Sequence, residues 1–256
     1  MGRLLTATDV CMYFGGVHAV DGISMHLDEN EILGVIGPNG SGKTTFFNAL
    51  TGIYIPTKGN FKLRDQDITG KPLHQMASFG ISRTFQNLRI FRALTVEENV
   101  MIGEHIHVDC NLFDCVFRTP RFRRAEEATR QKALVALKQV GLENMATELA
   151  GGMSYGMQKR LELARALVAD PELLLLDEPT AGMNDVEAEE LMDLVSRIKK
   201  EQNISIILIE HNMKVMMKTA ERIMAIDAGT KIAEGTPVEI QNNELVIRAY
   251  LGGNEE

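Results

Sequence analysis

Short apolar stretches alternate with longer helix-like patterns over much of this 256-residue chain. Largely apolar runs at residues 31–36, 173–176 and 204–209 have the length of buried strands. Periodic segments at residues 154–168 and 185–200 have the spacing of amphipathic helices. This alternation predicts an α/β fold that contains parallel strands.

The first part of the chain departs from this alternation. Residues 4–35 carry strand-like runs around Tyr13 and Phe14, with no helix of useful length between them. We therefore expect an antiparallel β portion ahead of the first parallel strand.

The middle of the chain has mostly helical patterns, from residue 72 to residue 148. Charged positions in residues 121–140 surround an apolar stripe, which predicts an inserted helical subdomain at residues 88–150. The rest, residues 1–87 and 151–256, is predicted to form the core of a single domain. The stripe consists of Ala125, Ala128, Ala133, Ala136 and Leu137.

Composition removes several classes of protein. The chain has 27 basic and 35 acidic residues, and the net charge of -8 argues against nucleic acid as a partner. No apolar run reaches the roughly 18 to 20 residues of a membrane-spanning helix, so a membrane role is expected to be peripheral. The 3 cysteines lack metal-ligand spacing and are interpreted as reduced thiols of a cytosolic protein.

Residues 37–44 read Gly-Pro-Asn-Gly-Ser-Gly-Lys-Thr and match the phosphate-binding pattern G-x-x-x-x-G-K-[ST] between an apolar strand and a helix. Glycines let backbone N–H groups turn toward phosphate, and Lys43 can neutralise the β and γ phosphates. The Thr44 hydroxyl is expected on Mg²⁺. The motif predicts ATP and Mg²⁺ as ligands, the alternative being a glycine-rich turn before an ordinary helix. The predicted nucleotide contacts are Gly37, Pro38, Asn39, Gly40, Ser41, Gly42, Lys43, Thr44 and Thr45.

Two carboxylates follow the apolar run at residues 173–176. Adjacent residues on a strand point to opposite sides, so Asp177 can face Mg²⁺ while Glu178 polarises the attacking water. The alternative interpretation is that the two acids are ordinary, solvent-exposed turn residues at the end of a strand.

Three further features complete a resemblance to the ABC (ATP-binding cassette) ATPase family: Gln86, the stretch Met-Ser-Tyr-Gly-Met-Gln at residues 153–158, and His211, in the family's order. The resemblance implies a P-loop NTPase core with an antiparallel β portion and an inserted helical subdomain. It also implies that Gln86 senses Mg²⁺ and the attacking water, and that His211 contacts the γ-phosphate. Phe14 is the best match to the aromatic that stacks on adenine; Tyr13 and a purely structural core aromatic remain alternatives.

The signature stretch keeps Ser154 and Gly156 of the family's usual Leu-Ser-Gly-Gly-Gln, while Tyr155 and Met157 replace a glycine and the glutamine. Ser154 is expected to begin a helix. Its hydroxyl and the N–H groups at the helix start are expected to bind the γ-phosphate of the ATP that a second ATPase holds. Asn184 stands where most relatives carry an aspartate. These departures raise the question of how strongly the half-site with this signature promotes hydrolysis.

The resemblance narrows to the ATP-binding subunits of bacterial branched-chain amino-acid importers, the LIV-type systems. It rests on residues 83–87, 112–126, 154–156 and 233–252. It implies an ATPase that energises uptake of leucine, isoleucine or valine from the cytoplasmic face of the inner membrane. The implied partners are a second, different ABC ATPase, two integral membrane permease subunits and, indirectly, a periplasmic or secreted amino-acid-binding protein.

The helical subdomain follows Gln86 directly, so it is the expected docking surface for a membrane subunit. We expect exposed contacts at Leu88, Ile90, Phe91 and Leu94.

Other functions fit the sequence less well. An ABC ATPase for another small polar substrate remains open, because no amino-acid pocket is recognisable. Soluble ABC proteins of translation or DNA repair generally carry two cassettes or long coiled-coil arms, and this chain has one phosphate loop in 256 residues. A P-loop kinase has no use for the Ser154 signature together with His211.

Overall fold

The computed structural model describes residues 2–84, 90–107, 114, 117 and 119–251. Its N-terminal part is an antiparallel sheet of strand order β2-β1-β4-β5. The burial pattern of β2 alternates along most of the strand, as expected when one face of a sheet is covered. The predicted antiparallel portion is thus present. The strands are β1 (Arg3–Phe14), β2 (Val17–Asp28), β4 (Lys58–Leu63) and β5 (Gln66–Asp67).

A second sheet of six strands follows the order β10-β9-β3-β8-β7-β6. Five of these strands, from β9 to β6 in that order, run parallel to one another, and β10 joins the edge antiparallel to β9. All residues of β3, β7 and β8 are buried, because both faces of this sheet are covered. The bounds are β3 (Ile32–Ile36), β6 (Ile81–Arg83), β7 (Leu173–Asp177), β8 (Ser205–Ile209), β9 (Arg222–Asp227) and β10 (Thr230–Gly235).

Helices connect the strands and fill the predicted subdomain. The two long periodic segments form α5 and α6 close to their predicted bounds, and the stripe-bearing segment forms α4. In chain order the helices are α1 (Lys43–Leu50), α2 (Leu73–Met76), α3 (Val96–Met101), α4 (Pro120–Gln139), α5 (Tyr155–Leu167), α6 (Asp185–Gln202), α7 (Met213–Thr219), α8 (Pro237–Gln241) and α9 (Glu244–Leu251).

The prediction of an apolar stripe on α4 is wrong for the N-terminal half of the helix. Ala128 is exposed and Ala125 only half-buried, whereas Ala133, Ala136 and Leu137 are buried as expected. The buried positions lie in the second half of the helix, because only that half packs into the core formed with α3 and α5.

Two hydrophobic cores lie on opposite faces of the six-stranded sheet. One packs α1 between the two sheets, with Phe46 and Phe47 completely buried. The other packs α3 to α7 against the opposite face. This layering leaves the carboxyl ends of β3, β6, β7 and β8 at one edge, where ligand sites of parallel sheets form. The predicted divide between core and subdomain remains a prediction.

Two expectations from composition concern the membrane and the thiols. Within the described ranges, no helix combines the length and apolar character needed to cross a bilayer. Cys11 is a free, buried thiol. Cys110 and Cys115 lie outside the described residues.

Candidate nucleotide-binding site

The phosphate loop joins the end of β3 to the start of α1. Gly42 caps the helix with a left-handed φ of 104°, and a Cβ atom there would lie 2.3 Å from the Ala19 carbonyl oxygen. Only glycine fits this position. The turn leaves the first N–H groups of α1 without helical partners, an arrangement that suits an anion.

Lys43 lies inside this loop and is only 5% exposed. Its Nζ donates to the carbonyl oxygens of Gly37 at 2.7 Å and Pro38 at 2.8 Å. Burial lowers the pKa of Lys43, and the carboxylates of Glu178 and Asp177 oppose that shift. The structure therefore places a buried cation within the cradle, and its predicted contact with the β and γ phosphates stays a prediction.

Asp177, the last residue of β7, forms a buried ion pair with Arg83 at the end of β6. The Arg83 Nη2 donates to Asp177 Oδ2 at 2.7 Å. The same guanidinium donates to Asn48 of α1 at 2.8 Å and Thr51 at 3.0 Å. Arg83 thus ties Asp177 to the phosphate-binding helix, a role that we did not predict from the sequence.

The residues present fit a magnesium ion that is shared with phosphate. Thr44 is exposed at the start of α1, and the bond from Arg83 to Asp177 is accepted by the Oδ2 atom. Within the described part of the chain, no cluster of three or more histidine, cysteine, aspartate and glutamate side chains forms a separate metal site. Mg²⁺ typically uses one or two protein ligands together with substrate phosphates and waters.

Glu178 and His211 face each other across the ends of β7 and β8. His211 Nε2 lies 2.5 Å from Glu178 Oε1. Glu178 has a left-handed φ of 49°, and its N–H donates to the Ile209 carbonyl at 2.9 Å. Such a backbone costs about 1–3 kcal/mol in a non-glycine residue and clusters at functional sites. The structure therefore brings together two residues whose roles were predicted separately, although their pairing was not.

Glu210 connects the two loops that carry this pair. It is 3% exposed, and its carboxylate accepts bonds from the N–H and hydroxyl of Thr180 at 2.9 and 2.5 Å. Its other oxygen accepts from the N–H groups of His211 at 3.0 Å and Asn212 at 3.2 Å. Sequence reasoning missed this residue, because a single acid before a histidine carries no pattern.

The signature residues lie at the start of α5, as predicted. Ser154 is the N-cap, and its hydroxyl accepts from Met157 N at 3.4 Å. The Tyr155 hydroxyl donates to the Ala181 carbonyl at 2.8 Å. Asn184 caps α6. Two of the three departures from the usual pattern, Tyr155 and Asn184, thus form hydrogen bonds within the chain, and Tyr155 joins the signature to the loop before α6.

The candidate adenine contacts differ in their surroundings. Phe14 is 44% exposed and meets Tyr54 edge-to-face at 5.3 Å, so it is not a core aromatic. Tyr13 donates to Asp21 at 2.7 Å and stacks on His18 at 4.0 Å. The adenine role of Phe14 remains a prediction. Gln86 lies outside the described residues.

Comparison with known proteins decides the family. The profile of the ABC transporter family matches residues 20–181. A profile described as branched-chain amino acid ATP-binding cassette transporter matches residues 230–256. The chain is also 46% identical to the high-affinity branched-chain amino acid transport ATP-binding protein LivG of Salmonella typhimurium, covering 97% of this chain and 98% of the relative. The chain belongs to the ABC transporter family.

Other members of the ABC transporter family agree with this assignment. The BraF protein of Pseudomonas aeruginosa, also a high-affinity branched-chain amino acid transport ATP-binding protein, is 42% identical over 97% of this chain and 98% of the relative. A crystal structure of the ADP conformation of an ABC transporter cassette superposes with a TM-score of 0.86 at 28% identity, covering 98% of this chain and 100% of that one. These findings confirm the predicted ABC ATPase fold and the resemblance to branched-chain amino-acid systems.

A Glu210→Gln variant of this ABC ATPase is expected to lose turnover while it keeps ATP affinity. The amide presents an NH₂ group to backbone donors, which disturbs the loops of Glu178 and His211 but leaves Lys43 in place. We expect kcat to fall about 10- to 100-fold, as small misplacements of reacting groups do. Steady-state ATPase assays and equilibrium ATP binding measure the two effects.

The control for Glu210→Gln is Glu239→Gln, which alters an exposed capping carboxylate at α8. It should change neither quantity. Equal kcat in Glu210→Gln and wild type would contradict the assigned positioning role.

Proposed function

We propose that this chain binds ATP with Mg²⁺ and hydrolyses it to drive import of branched-chain amino acids, namely leucine, isoleucine and valine. The observation that carries the proposal is that buried Lys43 and the Glu178–His211 pair lie at the same edge of the sheet. The 46% identity to a branched-chain amino acid transport ATP-binding protein supports the substrate class.

The site residues divide the reaction between them. The phosphate loop from Gly37 to Thr45 holds the phosphates, and Lys43 stabilises charge on the β and γ groups. The Glu178 carboxylate accepts a proton from the water that attacks the γ-phosphorus, and ADP leaves. His211 holds that carboxylate in place through the 2.5 Å contact.

Magnesium, when bound, neutralises phosphate charge, and Thr44 and Asp177 are the residues that would hold it. Arg83 fixes the Asp177 carboxylate on its other oxygen. The proposed role of Gln86, to sense the metal and the attacking water, rests on the family resemblance alone.

A second, different ABC ATPase is the proposed partner at the nucleotide site. Ser154 and Gly156 begin a helix with an open N-terminal end, which suits a γ-phosphate held by that partner. Tyr155 and Asn184 are engaged within this chain, so this signature differs in its hydrogen bonding from the usual glycine-bearing one. This difference supports an asymmetric pair of sites.

The proposed permease contact lies at the start of the helical subdomain. Asn99 is buried, donates to the carbonyl of Phe91 at 3.0 Å and accepts from its N–H at 2.9 Å. These two hydrogen bonds hold the Phe91 backbone in place, while the Phe91 ring is 51% exposed. Ile90 and Leu94 are half-buried rather than exposed, and Leu88 lies outside the described residues. Phe91 is therefore the described residue best placed to contact one of two permease subunits.

This contact would hold the chain peripherally at the cytoplasmic face of the inner membrane. An amino-acid-binding protein on the other side would supply the substrate. Both statements rest on the family assignment.

Uptake by the reconstituted transporter tests the proposal. The chain, two permeases, a second ATPase and a binding protein are assembled in vesicles with ATP inside, and radiolabelled leucine and glutamine are compared. We expect ATP-dependent leucine uptake only. Phe91→Asp should abolish uptake while the isolated chain still binds ATP.

The matched control is Val238→Asp, since Val238 is 69% exposed but lies on α8, away from the subdomain. It should transport normally. Uptake of glutamine but not leucine would overturn the substrate class, and normal uptake by Phe91→Asp would overturn the docking surface.

A further inference from the structure

The first residue of the phosphate loop is bonded to the last helix of the described chain. The N–H of Gly37 donates to the Tyr250 hydroxyl at 2.9 Å, across 213 residues of sequence. Tyr250 lies in α9, within the segment matched by the branched-chain amino-acid family profile, and the ABC transporter profile ends at residue 181. The contact thus joins the phosphate loop to a segment outside the residues that the ABC transporter profile matches.

Gly37 is held rigidly on every side. Its φ is 152°, and a Cβ atom there would lie 2.0 Å from the Ile226 carbonyl oxygen. Its own carbonyl accepts from Lys43 Nζ at 2.7 Å. A chain of hydrogen bonds therefore runs from Tyr250 through both peptide groups of Gly37 to the lysine that meets phosphate.

The turn directly before that segment holds the other side of the loop. The N–H of Gly229, in the turn between β9 and β10, donates to the Ser41 carbonyl at 2.9 Å. Because two separate bonds from this part of the chain bracket residues 37–41, the shape of the cradle depends on where the segment sits.

Helix α9 is itself anchored. Asn243 caps it by accepting from Leu245 N at 2.9 Å, and Val246 is 5% exposed in the core cluster beneath it. Burial raises the pKa of Tyr250, so its hydroxyl stays protonated at neutral pH. The phenol is therefore a fixed, neutral acceptor for the Gly37 N–H.

The same tyrosine lines an open groove of about 740 Å³ between α7 and the C-terminal helices. Met213 and Met217 of α7 line the opposite wall. Helix α7 begins directly after His211 and Asn212. The groove therefore lies between two helices, α7 and α9, that each connect to the nucleotide site.

We propose that Tyr250 is a positioning residue of the phosphate loop, through which helix α9 sets the geometry of ATP binding. The inference rests on the proposed function as an ATP-binding subunit and assigns the C-terminal segment a part in it. The hydrogen bond from the Gly37 N–H to the phenol fixes this residue so that its carbonyl stays directed at Lys43.

The test compares wild type, Tyr250→Phe and Leu245→Ala as full-length chains. Leu245 lies on the same helix, is 54% exposed and does not line the groove, so Leu245→Ala is the matched control. Loss of one hydrogen bond should weaken Mg-ATP binding about three- to tenfold in Tyr250→Phe, with the melting temperature of the ATP-free chain close to wild type. In the reconstituted transporter, KM for ATP should rise by the same factor, with kcat nearly unchanged.

Amide exchange at Gly37 reads the contact directly. NMR should show a protected Gly37 amide in wild type and in Leu245→Ala, and faster exchange in Tyr250→Phe. Wild-type affinity and wild-type exchange in Tyr250→Phe would overturn the inference while the proposed function stands. Failure of the wild type to bind ATP would instead overturn the proposed function.

A folding defect in Tyr250→Phe would not end the test. Val246→Ala loosens the seat of α9 but keeps the phenol, so it should raise Gly37 exchange and weaken ATP binding by a smaller factor. Unchanged exchange and affinity in a Val246→Ala chain with a lowered melting temperature would overturn the coupling.

Discussion

A Lys43→Ala chain is expected to lose useful ATP binding, by about 10²-fold or more, and with it all transport. Lys43 is the buried cation of the cradle, and its Nζ is held by two loop carbonyls at 2.7 and 2.8 Å, within the loop that would receive phosphate. No other described side chain of the loop carries a positive charge. Equilibrium binding of Mg-ATP to the purified chain and ATP-driven leucine uptake measure the loss.

The matched control is Lys62→Ala, which removes an exposed lysine of β4. It should leave both quantities unchanged. Because removal of Lys43 also removes a buried charge, the ATP-free variant should remain folded, which circular dichroism can verify. Uptake near the wild-type rate would refute the assignment of the phosphate site.

Glu178→Gln should separate binding from hydrolysis. The amide keeps the shape of the side chain but cannot accept the proton of the attacking water, so hydrolysis should fall about 10²- to 10⁴-fold. ATP should still bind, because the phosphate loop is untouched, and a long-lived ATP-bound dimer should accumulate. Single-turnover hydrolysis and size-exclusion chromatography with ATP measure the two results.

Glu172→Gln provides the control at the opposite end of the same strand. Glu172 precedes β7 and its exposed carboxylate pairs with Arg64 at 3.0 Å, far from the carboxyl edge of the sheet. It should hydrolyse ATP normally. Hydrolysis and dimer lifetime equal to wild type in Glu178→Gln would show that another group is the base.

The proposed asymmetry of the two sites predicts unequal effects of the two catalytic acids. In the proposed heterodimer, Glu178 would work opposite the partner's signature, whereas the partner's acid would work opposite Tyr155 and its bond to Ala181. Glu178→Gln should therefore reduce transporter ATPase more than the same change in the partner, and equal losses would leave the asymmetry without support.

Local patterns predicted the parts of the site that are continuous in sequence. The phosphate loop, the acids after β7 and the helix at Ser154 each carry their own spacing, so their places in the fold followed from the chain alone. The contact between Glu178 and His211 was not predicted, although parallel strands that end at one edge of a sheet explain why the two residues meet.

The supporting contacts could not be predicted in the same way. Arg83 ends a strand of only 3 residues, too short to carry a period, so the sequence interpretation took this region as helical. Glu210 accepts from the backbone of Thr180, 30 residues away, and Tyr250 accepts from the backbone of Gly37, 213 residues away; no pattern of side chains indicates such a bond. The stripe on α4 failed for a related reason, since periodicity marks a helix face but not how far along the helix the core extends.

Strand β3, which delivers the phosphate loop, has its two neighbours far away in the chain. It pairs with β8 and β9, whose residues 205–227 are made long after residues 32–36. During synthesis the antiparallel sheet can assemble from its own local hairpin, but β3 remains an unpaired, fully apolar ribbon until most of the polypeptide has left the ribosome. Any truncated or stalled product therefore presents this ribbon to chaperones and proteases, and the nucleotide site is among the last parts of the molecule to come into existence.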